Sequence, residues 1–409
     1  MQIRLLHPSL CHLGGAEVLM VEQARLMSRL GAAVRIRTFA YDTERWSARV
    51  DPVPVDFMKA RVPGRRPPSV PRSPLDRRMS WLLEGLSKAD VAIAHNYPAS
   101  SALGAALEPR VRVWYCHEPP RFLYPEEVSP FLSTNAERAP NRHGPRYYGQ
   151  SMRSWFGALP LVGRRSPRRK AADRHGIRGL SAIWANSEYT RANVRRVYGS
   201  LDVEVVYPTI DFSATTPARS GLPREGLNVL TLTRLEWVKN LDTLLDGFAR
   251  FRKRDDPRAE LHIVGEGAAK ASLRDQAMRL GLAEAVHLHG FLDDARVSKL
   301  AARCQVFACV PLDEPFGMVF PEAMARGLLV LGPDHGGPLE ILDGGRLGEV
   351  VDALNPDAIA EGLSRLSRLS DVDADRRRSE ALLAARQRFS REATAARLSS
   401  LLERHGVRF

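Results

Sequence analysis

The sequence predicts an α/β protein of two successive domains, each built on a parallel sheet covered by helices. Short apolar runs alternate with amphipathic helical runs along the 409 residues, and short connections join them. The alternation restarts after a stretch rich in Thr, Ser, Pro and Gly, which is typical of an interdomain linker. A hydrophobic content of 44% is sufficient for two well-filled cores.

In the first half, a glycine turn at Gly14-Gly15 leads from the first strand into a helix that ends at Gly31. Two segments rich in Pro or Arg, Pro63–Pro74 and Ala139–Arg169, are predicted to be mobile loops. The predicted strands are Ile3–His7, Val34–Phe39, Val91–Ala94, Val111–Tyr115, Ala182–Ala185 and Val203–Tyr207.

In the second half, strands and helices alternate regularly. The predicted strands are Asn228–Thr233, Glu260–Val264, Val286–His289, Val306–Val310 and Leu328–Leu331. The predicted helices are Leu241–Arg252, Ala268–Leu280, Asp293–Ala302 and Phe320–Arg326, followed by a final helix at Arg386–Arg404.

These elements divide the chain into four parts. Residues 1–212 form the first domain, 213–226 the linker and 227–385 the second domain. Residues 386–409 carry the final helix, which is long enough to cross the domain junction. We expect the active site in the cleft between the domains.

Composition excludes several classes of protein. The sequence contains no apolar run long enough to span a membrane, and its polar N-terminus does not resemble a signal peptide. The four cysteines lie in or beside apolar runs without a CxxC pair, which predicts buried thiols of a cytoplasmic protein. No metal-ligand spacing is visible, and no GxGxxG motif supports a dehydrogenase.

The positive charge is concentrated in the first half of the chain. Residues 1–210 hold 32 Lys and Arg against 18 Asp and Glu, whereas the net charge of the whole chain is +13. A dense basic run follows the apolar stretch 155–162 and consists of Arg164, Arg165, Arg168, Arg169 and Lys170. Such a segment suits an anionic membrane surface or an anionic acceptor. A solvated loop and a nucleic-acid patch are the alternatives, although no nucleic-acid-binding motif supports the second.

The most informative stretch is Glu314–Glu322, which holds two carboxylates eight positions apart. It follows a predicted buried strand and opens a predicted helix, so Glu314 lies at the carboxyl end of a strand and Glu322 in the first helical turns. Ligands of open α/β sheets bind at that edge. A purely structural role for acidic residues at a helix start is the alternative.

Two basic residues and a histidine follow other strands. Arg234 and Lys239 lie between a strand and a helix, where they can hold a diphosphate. His117 closes a strand and can contact a sugar hydroxyl or carry a proton. Gly15 and Gly265 lie in strand-ending glycine turns, which let a ligand approach the backbone but are common in proteins.

Taken together in order, these motifs resemble the retaining glycosyltransferases of family 4, and the resemblance covers almost the whole chain. The fold that it implies is GT-B, with two Rossmann-like domains facing across a cleft. The motifs are Gly14-Gly15-Ala16-Glu17, His117, Asn186–Thr190, Tyr207-Pro208 with Asp211, Arg234 with Lys239, Gly265-Glu266-Gly267, Gly290-Phe291, Glu314–Glu322, Gly336–Glu340 and Phe389-Ser390.

The resemblance also implies roles for individual residues. Arg234 and Lys239 would bind the donor diphosphate, Glu322 the ribose hydroxyls and Glu314 the transferred sugar. Gly15 would approach the diphosphate, and His117 would bond the donor sugar near the reaction centre. The main chain around Phe316, Gly317, Met318 and Val319 would lie close to sugar and phosphate. No bound metal or other cofactor is expected.

The predicted activity is transfer of a hexosyl group to a hydroxyl of a glycan, lipid-linked or small-molecule acceptor. GDP-mannose is the favoured donor, because several motifs resemble mannosyltransferases, and a UDP-sugar is the alternative. Leu328-Leu329 and Pro321 depart from the usual family pattern, although Pro is tolerated at a helix start. A nucleotide-sugar epimerase and a non-catalytic glycan- or membrane-binding module are further alternatives. The expected location is the cytoplasm, with peripheral contact at the inner face of the membrane.

Overall fold

The computed structural model describes residues 1–11, 14–60, 81–138, 167–212 and 226–409. Several predicted segments lie outside these ranges: the loop Pro63–Pro74, residues 139–166 of the loop Ala139–Arg169 with Arg164 and Arg165, and the linker up to residue 225. The described residues form two compact units. Unit 1 contains those of Met1–Ser129, Met152–Thr209 and Arg391–Phe409, and unit 2 contains those of Pro130–Ser151 and Ile210–Ser390.

Unit 1 is built on a seven-stranded parallel sheet with the order β3-β2-β1-β4-β5-β6-β7. Its central strands are almost wholly buried, as expected for a parallel sheet with both faces covered. The strands are β1 (Gln2–Leu10), β2 (Ala33–Tyr41), β3 (Val55–Ala60), β4 (Val91–His95), β5 (Val111–Cys116), β6 (Ala182–Ala185) and β7 (Glu204–Val205).

The helices are labelled in chain order through both units. Those of unit 1 are α1 (Gly15–Arg29), α2 (Thr43–Val50), α3 (Ala99–Gly104), α4 (Pro125–Val128), α6 (Pro167–Arg178), α7 (Glu188–Tyr198) and α15 (Arg391–Glu403), with a 3-10 turn at Leu86–Lys88. Helix α15 belongs to this unit because Leu398, Leu401 and Leu402 are buried in the same core cluster as Ile3 and Leu5.

Unit 2 is built on a six-stranded parallel sheet with the order β10-β9-β8-β11-β12-β13. Its strands are β8 (Asn228–Leu232), β9 (Glu260–Val264), β10 (Val286–Gly290), β11 (Val306–Ala308), β12 (Leu329–Pro333) and β13 (Glu349–Val351). Its helices are α5 (Pro130–Thr134), α8 (Leu241–Arg254), α9 (Lys270–Arg279), α10 (Asp294–Ala301), α11 (Val319–Ala325), α12 (Gly336–Ile341), α13 (Pro356–Ser367) and α14 (Asp371–Phe389), with 3-10 turns at Trp237–Lys239 and Asp343–Gly345.

Three predictions about local structure are wrong. The final helix Arg386–Arg404 is two helices, because Ser390 between α14 and α15 has extended backbone angles of φ −69° and ψ 163°. The predicted loop ending at Arg169 gives way to a helix at Pro167, a residue type that is favoured at a helix start. Pro321 is the third residue of α11 rather than its first. It is still tolerated, because the first four N–H groups of a helix have no intrahelical partner.

All four cysteines are buried free thiols, which confirms that part of the sequence prediction. None of the described helices is long and apolar enough to cross a membrane.

Candidate functional site

The loops that follow β8 and β9 are joined by their main chains at the carboxyl edge of the second sheet. The Leu235 N–H donates to the Glu266 carbonyl at 3.0 Å, and the Ala269 N–H donates to the Leu235 carbonyl at 2.9 Å. Gly265 has a φ of +140°, and a Cβ there would lie 1.8 Å from the Thr233 carbonyl oxygen. Only glycine therefore allows the two loops to approach this closely.

Lys239 and Glu314 meet at this edge. The Lys239 Nζ donates to a Glu314 carboxylate oxygen, and the two side chains are only 16% and 17% exposed. Buried Cys309 lies close enough for both charges to act on its thiol, whose pKa is raised to about 12, chiefly by burial. The structure thus brings together two predicted site residues that are 75 positions apart in the chain.

Asn240 fixes the loop that carries Lys239. Its backbone is left-handed with a φ of +57°, and its side-chain amide donates to the carbonyls of Val310 at 2.9 Å and Ala353 at 2.7 Å. The Leu312 N–H donates to the Val238 carbonyl at 3.0 Å, which ties the same loop to the one after β11. An Asn at a left-handed position beside a strand end is a sequence signal that could have identified this residue.

Arg234 lies on the same loop but is not part of the Lys239–Glu314 pair. Its guanidinium is 3.0 Å from a carboxylate oxygen of Glu236, and half of its side chain, 51%, is exposed. The guanidinium is therefore held by Glu236 while half of the side chain stays accessible to an anion.

The segment from Glu314 to α11 is shaped by glycines and a buried aromatic ring. Gly317 has a φ of +90°, and Phe316 is buried with its ring edge-on to Phe389 at 5.5 Å between centroids. Met318 and Val319 are half-buried at the start of α11. The Gly337 N–H donates to the Glu314 carbonyl at 2.8 Å, so Glu314 is held by main chain as well as by Lys239.

Glu322 lies in the first turns of α11. Although 34% of its side chain is exposed, desolvation by the surrounding atoms raises its pKa to about 7. Arg326, at 3.9 Å, opposes that shift, and Asp294 adds to it. A carboxylate that is poorly solvated in the free protein gains from hydrogen bonds with incoming hydroxyl groups.

Asp313 is a buried site neighbour that the sequence did not reveal. Its two carboxylate oxygens accept from the N–H groups of Phe131 and Leu132, each at 3.0 Å. The Phe131 ring stacks on His335 with centroids 3.4 Å apart. Because residues 131 and 313 are 182 positions apart, no local pattern could have indicated the contact.

In unit 1, His117 follows β5 and faces a second histidine. Its Nε2 lies 3.0 Å from Nδ1 of the fully buried His95, at the end of β4. Desolvation, with a contribution from His7, lowers the pKa of His117 to about 3, so its imidazole is neutral at neutral pH. Gly15 is exposed at the start of α1, directly after β1.

The described end of the basic run forms the first turn of α6. Lys170 lies 3.8 Å from Glu127 and above the Tyr124 ring, so that part of its charge is engaged within the unit. Arg168 is exposed and Arg169 half-buried. The helix itself is anchored by Asp173, whose buried carboxylate accepts from the hydroxyls of Tyr124 and Tyr198 at 3.0 and 2.8 Å.

Comparisons with known proteins bear directly on these two units. Residues 13–214 match the family described as Glycosyltransferase Family 4, and residues 213–382 match Glycosyl transferases group 1. A GDP-mannose-dependent alpha-(1-6)-phosphatidylinositol monomannoside mannosyltransferase of Mycolicibacterium smegmatis is 31% identical over 270 residues, which are 56% of this chain and 69% of that relative. The chain belongs to the family 4 (group 1) glycosyltransferases.

Other relatives of this glycosyltransferase match over shorter stretches. The phosphatidyl-myo-inositol mannosyltransferase of Mycobacterium tuberculosis is 37% identical over 163 residues, 38% of this chain and 41% of the relative. An uncharacterized glycosyltransferase of Methanocaldococcus jannaschii is 34% identical over 143 residues, 35% of this chain and 36% of the relative. The chain thus spans well under two thirds of the length of these two relatives.

Among solved structures, Anabaena HepE in complex with UDP matches with a TM-score of 0.74 and 21% identity, covering 99% of this chain and all of that one (100%). A sucrose-phosphate synthase of Thermosynechococcus elongatus matches with a TM-score of 0.71 and 16% identity, covering 99% of both chains. These similarities show the fold, which is GT-B with two Rossmann-like domains, as the sequence predicted.

Proposed function

We propose that this protein transfers a mannosyl group from GDP-mannose to a hydroxyl of a glycan or lipid-linked acceptor, with retention of anomeric configuration. The observation that carries this proposal is the Lys239–Glu314 pair at the carboxyl edge of the second sheet, with Arg234 on the same loop. Cations there can bind a diphosphate, and the adjoining carboxylate can accept hydrogen bonds from sugar hydroxyls. The activities named for the mycobacterial relatives support mannose as the sugar and an inositol lipid as the acceptor.

Within unit 2, each residue has a separate task. Lys239 and Arg234 bind the diphosphate and stabilise the charge that develops on it as the sugar departs. Glu314 binds the transferred sugar, and Glu322 accepts hydrogen bonds from the ribose hydroxyls. In the free protein Glu314 balances the charge of Lys239, so diphosphate binding replaces one anionic partner of Lys239 with another. The main-chain N–H groups from Phe316 to Val319 supply further donors.

For unit 1, we propose that Gly15 contacts the diphosphate and His117 the donor sugar. Because the pKa of His117 is lowered to about 3, the imidazole acts as a neutral hydrogen-bonding group rather than as a cation. The basic start of α6, together with Arg164 and Arg165, is proposed to bind an anionic acceptor or membrane surface.

To account for retention, we propose that the acceptor hydroxyl attacks the donor sugar on the same face from which the diphosphate departs. The bond between the anomeric carbon and the diphosphate oxygen breaks, and a bond to the acceptor oxygen forms. The acceptor proton passes to the departing phosphate oxygen, so the step needs no nucleophile from the protein. The chain contributes charge stabilisation through Lys239 and Arg234 and orientation through Glu314.

A panel of nucleotide sugars tests the donor and the site together. Hydrolysis or transfer is measured with GDP-mannose, GDP-glucose, UDP-glucose and UDP-N-acetylglucosamine for the wild type, Lys239→Ala and Glu314→Ala. Lys253→Ala is a matched control, since this lysine is exposed on α8 away from the strand ends. We expect GDP-mannose to be used best and both site variants to lose most turnover. Wild-type turnover in both variants would overturn the site assignment.

A UDP-sugar is the second candidate donor, because the similar HepE structures contain UDP or UDP-glucose. Preference for UDP-glucose in the panel would replace the mannosyl assignment while leaving the site assignment intact. Product formation from the donor alone, without an acceptor or water as co-substrate, would instead indicate an epimerase.

A further inference from the structure

Three histidines and a glutamate gather on one face of β9 and β10, on the strand pair at one edge of the second sheet. Alternation along the strands explains the cluster: Leu261 and Ile263 turn into the core, so their neighbours turn to the other face. The cluster consists of Glu260 and His262 on β9 and His287 and His289 on β10. The proposed reaction uses none of these side chains.

Two of the three distances within the cluster are close to those between ligands of a tetrahedral metal ion. The Glu260 Oε2 lies 3.2 Å from His287 Nε2 and 3.5 Å from His262 Nε2. Metal–ligand bonds of about 2.0–2.1 Å at tetrahedral angles put neighbouring ligand atoms about 3.3 Å apart. One ligand atom from each of the three residues lies within 4.8 Å of the others. Rotation of the 37% exposed His287 side chain closes the remaining gap.

The surroundings of His262 match those of a metal-bound imidazole. Its Nδ1 lies 3.1 Å from His289 Nε2, and its Nε2 faces Glu260 and, at 3.3 Å, Asn228 Oδ1. Metal-ligating histidines usually donate their second N–H to a neighbour, which fixes the ring. With Nδ1–H donating to His289, the Nε2 lone pair points between the Glu260 carboxylate and the Asn228 oxygen.

We propose that Glu260, His262 and His287 bind a divalent transition-metal ion of the zinc class, with His289 orienting His262. Two imidazoles and one carboxylate suit Zn²⁺ rather than Mg²⁺ or Ca²⁺, which prefer oxygen ligands. The bound ion joins β10, an edge strand, to β9. Gly290 at the end of β10 accepts from the Gly265 N–H at 2.8 Å, so the ion also steadies the glycine loop after β9.

Calorimetry on the tag-free full chain, stripped of metal with a chelator, tests the site with ZnCl₂ as the probe. We expect one Zn²⁺ per chain at micromolar affinity or tighter, and no binding of MgCl₂. His287→Gln and His262→Gln should each weaken binding by about tenfold or more, and His289→Gln by about tenfold, as loss of an orienting partner does. His405→Gln, which removes a histidine elsewhere in the chain, should leave the affinity unchanged.

Hydrogen exchange supplies a readout that does not depend on activity. Zn²⁺ should slow amide exchange in a peptide covering residues 286–290 in the wild type, and should slow it less in His287→Gln at the same subsaturating Zn²⁺ concentration. His287 is half-exposed, so its substitution is expected to leave the fold intact, which circular dichroism without metal checks. Equal Zn²⁺ affinity in the wild type and in His262→Gln and His287→Gln, or absence of micromolar binding by the wild type, would overturn the proposal. Neither result bears on glycosyl transfer.

Discussion

Lys239 donates a hydrogen bond to Glu314, and each of these residues follows the end of a different strand, β8 and β11, which are neighbours in the second sheet. The pair is nearly buried, with side-chain exposures of 16% and 17%. Removing only one residue of such a pair destabilises the protein, because the remaining charge is left poorly solvated and without its partner.

Replacing Lys239 should impair catalysis, because the diphosphate then loses the cation that is proposed to stabilise its developing charge. We expect Lys239→Met to lower kcat/KM for the donor by about 10²–10³, the usual loss when a group that stabilises developing charge is removed. Lys239→Arg should recover part of that loss. Steady-state kinetics measures both, with Lys253→Met as the control on α8. Equal kcat/KM in wild type and Lys239→Met would contradict the assignment.

Donor affinity should rise with pH through the titration of Glu322. Its pKa is about 7 in the free protein, and the ionised carboxylate is the form proposed to accept hydrogen bonds from the ribose hydroxyls. With that pKa, the ionised fraction rises about tenfold from pH 6 to pH 8, which sets the largest expected gain in affinity. Calorimetry with an intact nucleotide sugar measures it, because its diphosphate does not titrate in this range. Glu322→Gln should remove the pH dependence of donor affinity. If the affinity of this variant changed with pH as in the wild type, another group would be responsible.

Two glycine substitutions separate backbone strain from steric collision. A Cβ at Gly265 would lie 1.8 Å from the Thr233 carbonyl oxygen, whereas one at Gly281, with a φ of +70°, would meet nothing within 4 Å. Gly281→Ala should lower the free energy of unfolding by about 1–2 kcal/mol from left-handed strain alone. Gly265→Ala should cost more than this and also weaken nucleotide-sugar binding. Urea unfolding measures the loss of stability in each variant, and calorimetry measures the affinity for the nucleotide sugar. Equal losses of both quantities in the two variants would refute this prediction.

Unit 1 should lose stability in mild acid. Burial lowers the pKa of His7 to about 4 and that of His95 well below 6.5. Both imidazoles are therefore neutral in the folded protein at neutral pH. The stability that these two histidines contribute is complete above pH 6.5. It is lost as the pH falls from there towards 4, since only in the unfolded state do their imidazoles take up protons. The slope is about 1.4 kcal/mol per pH unit for each histidine. His95→Gln should show a shallower slope than His405→Gln in unfolding measured from pH 7 to 4.5; equal slopes would exclude His95.

The sequence predicted the central strands well because burial on both faces leaves continuous apolar runs. The first strand, β5, β6 and β8 were placed within a few residues, and the polar ends of β5 and β8 identified His117 and the loop of Arg234. The helix start at Glu314–Glu322 was equally visible, because glycines and carboxylates there stand next to an apolar strand.

Other features depend on distant contacts and left no local pattern. Asp313 binds N–H groups 182 and 181 positions away, and the cluster around His262 combines two strands separated by helix α9. The break at Ser390 was missed although α15 begins at the next residue and Ser is favoured directly before a helix start. Elements α2 and β3 were missed because charged residues interrupt their apolar positions, as Glu44 and Arg45 do in α2 and Asp56 and Lys59 do in β3.

The leucines of α15 complete the core of unit 1 although α15 follows all the described residues of unit 2 in the chain. Every described residue of unit 2, by contrast, precedes Arg391. On the ribosome, the second unit therefore has all of its residues before the first does. Part of the apolar surface of the N-terminal sheet therefore stays uncovered until residues 391–403 have been translated.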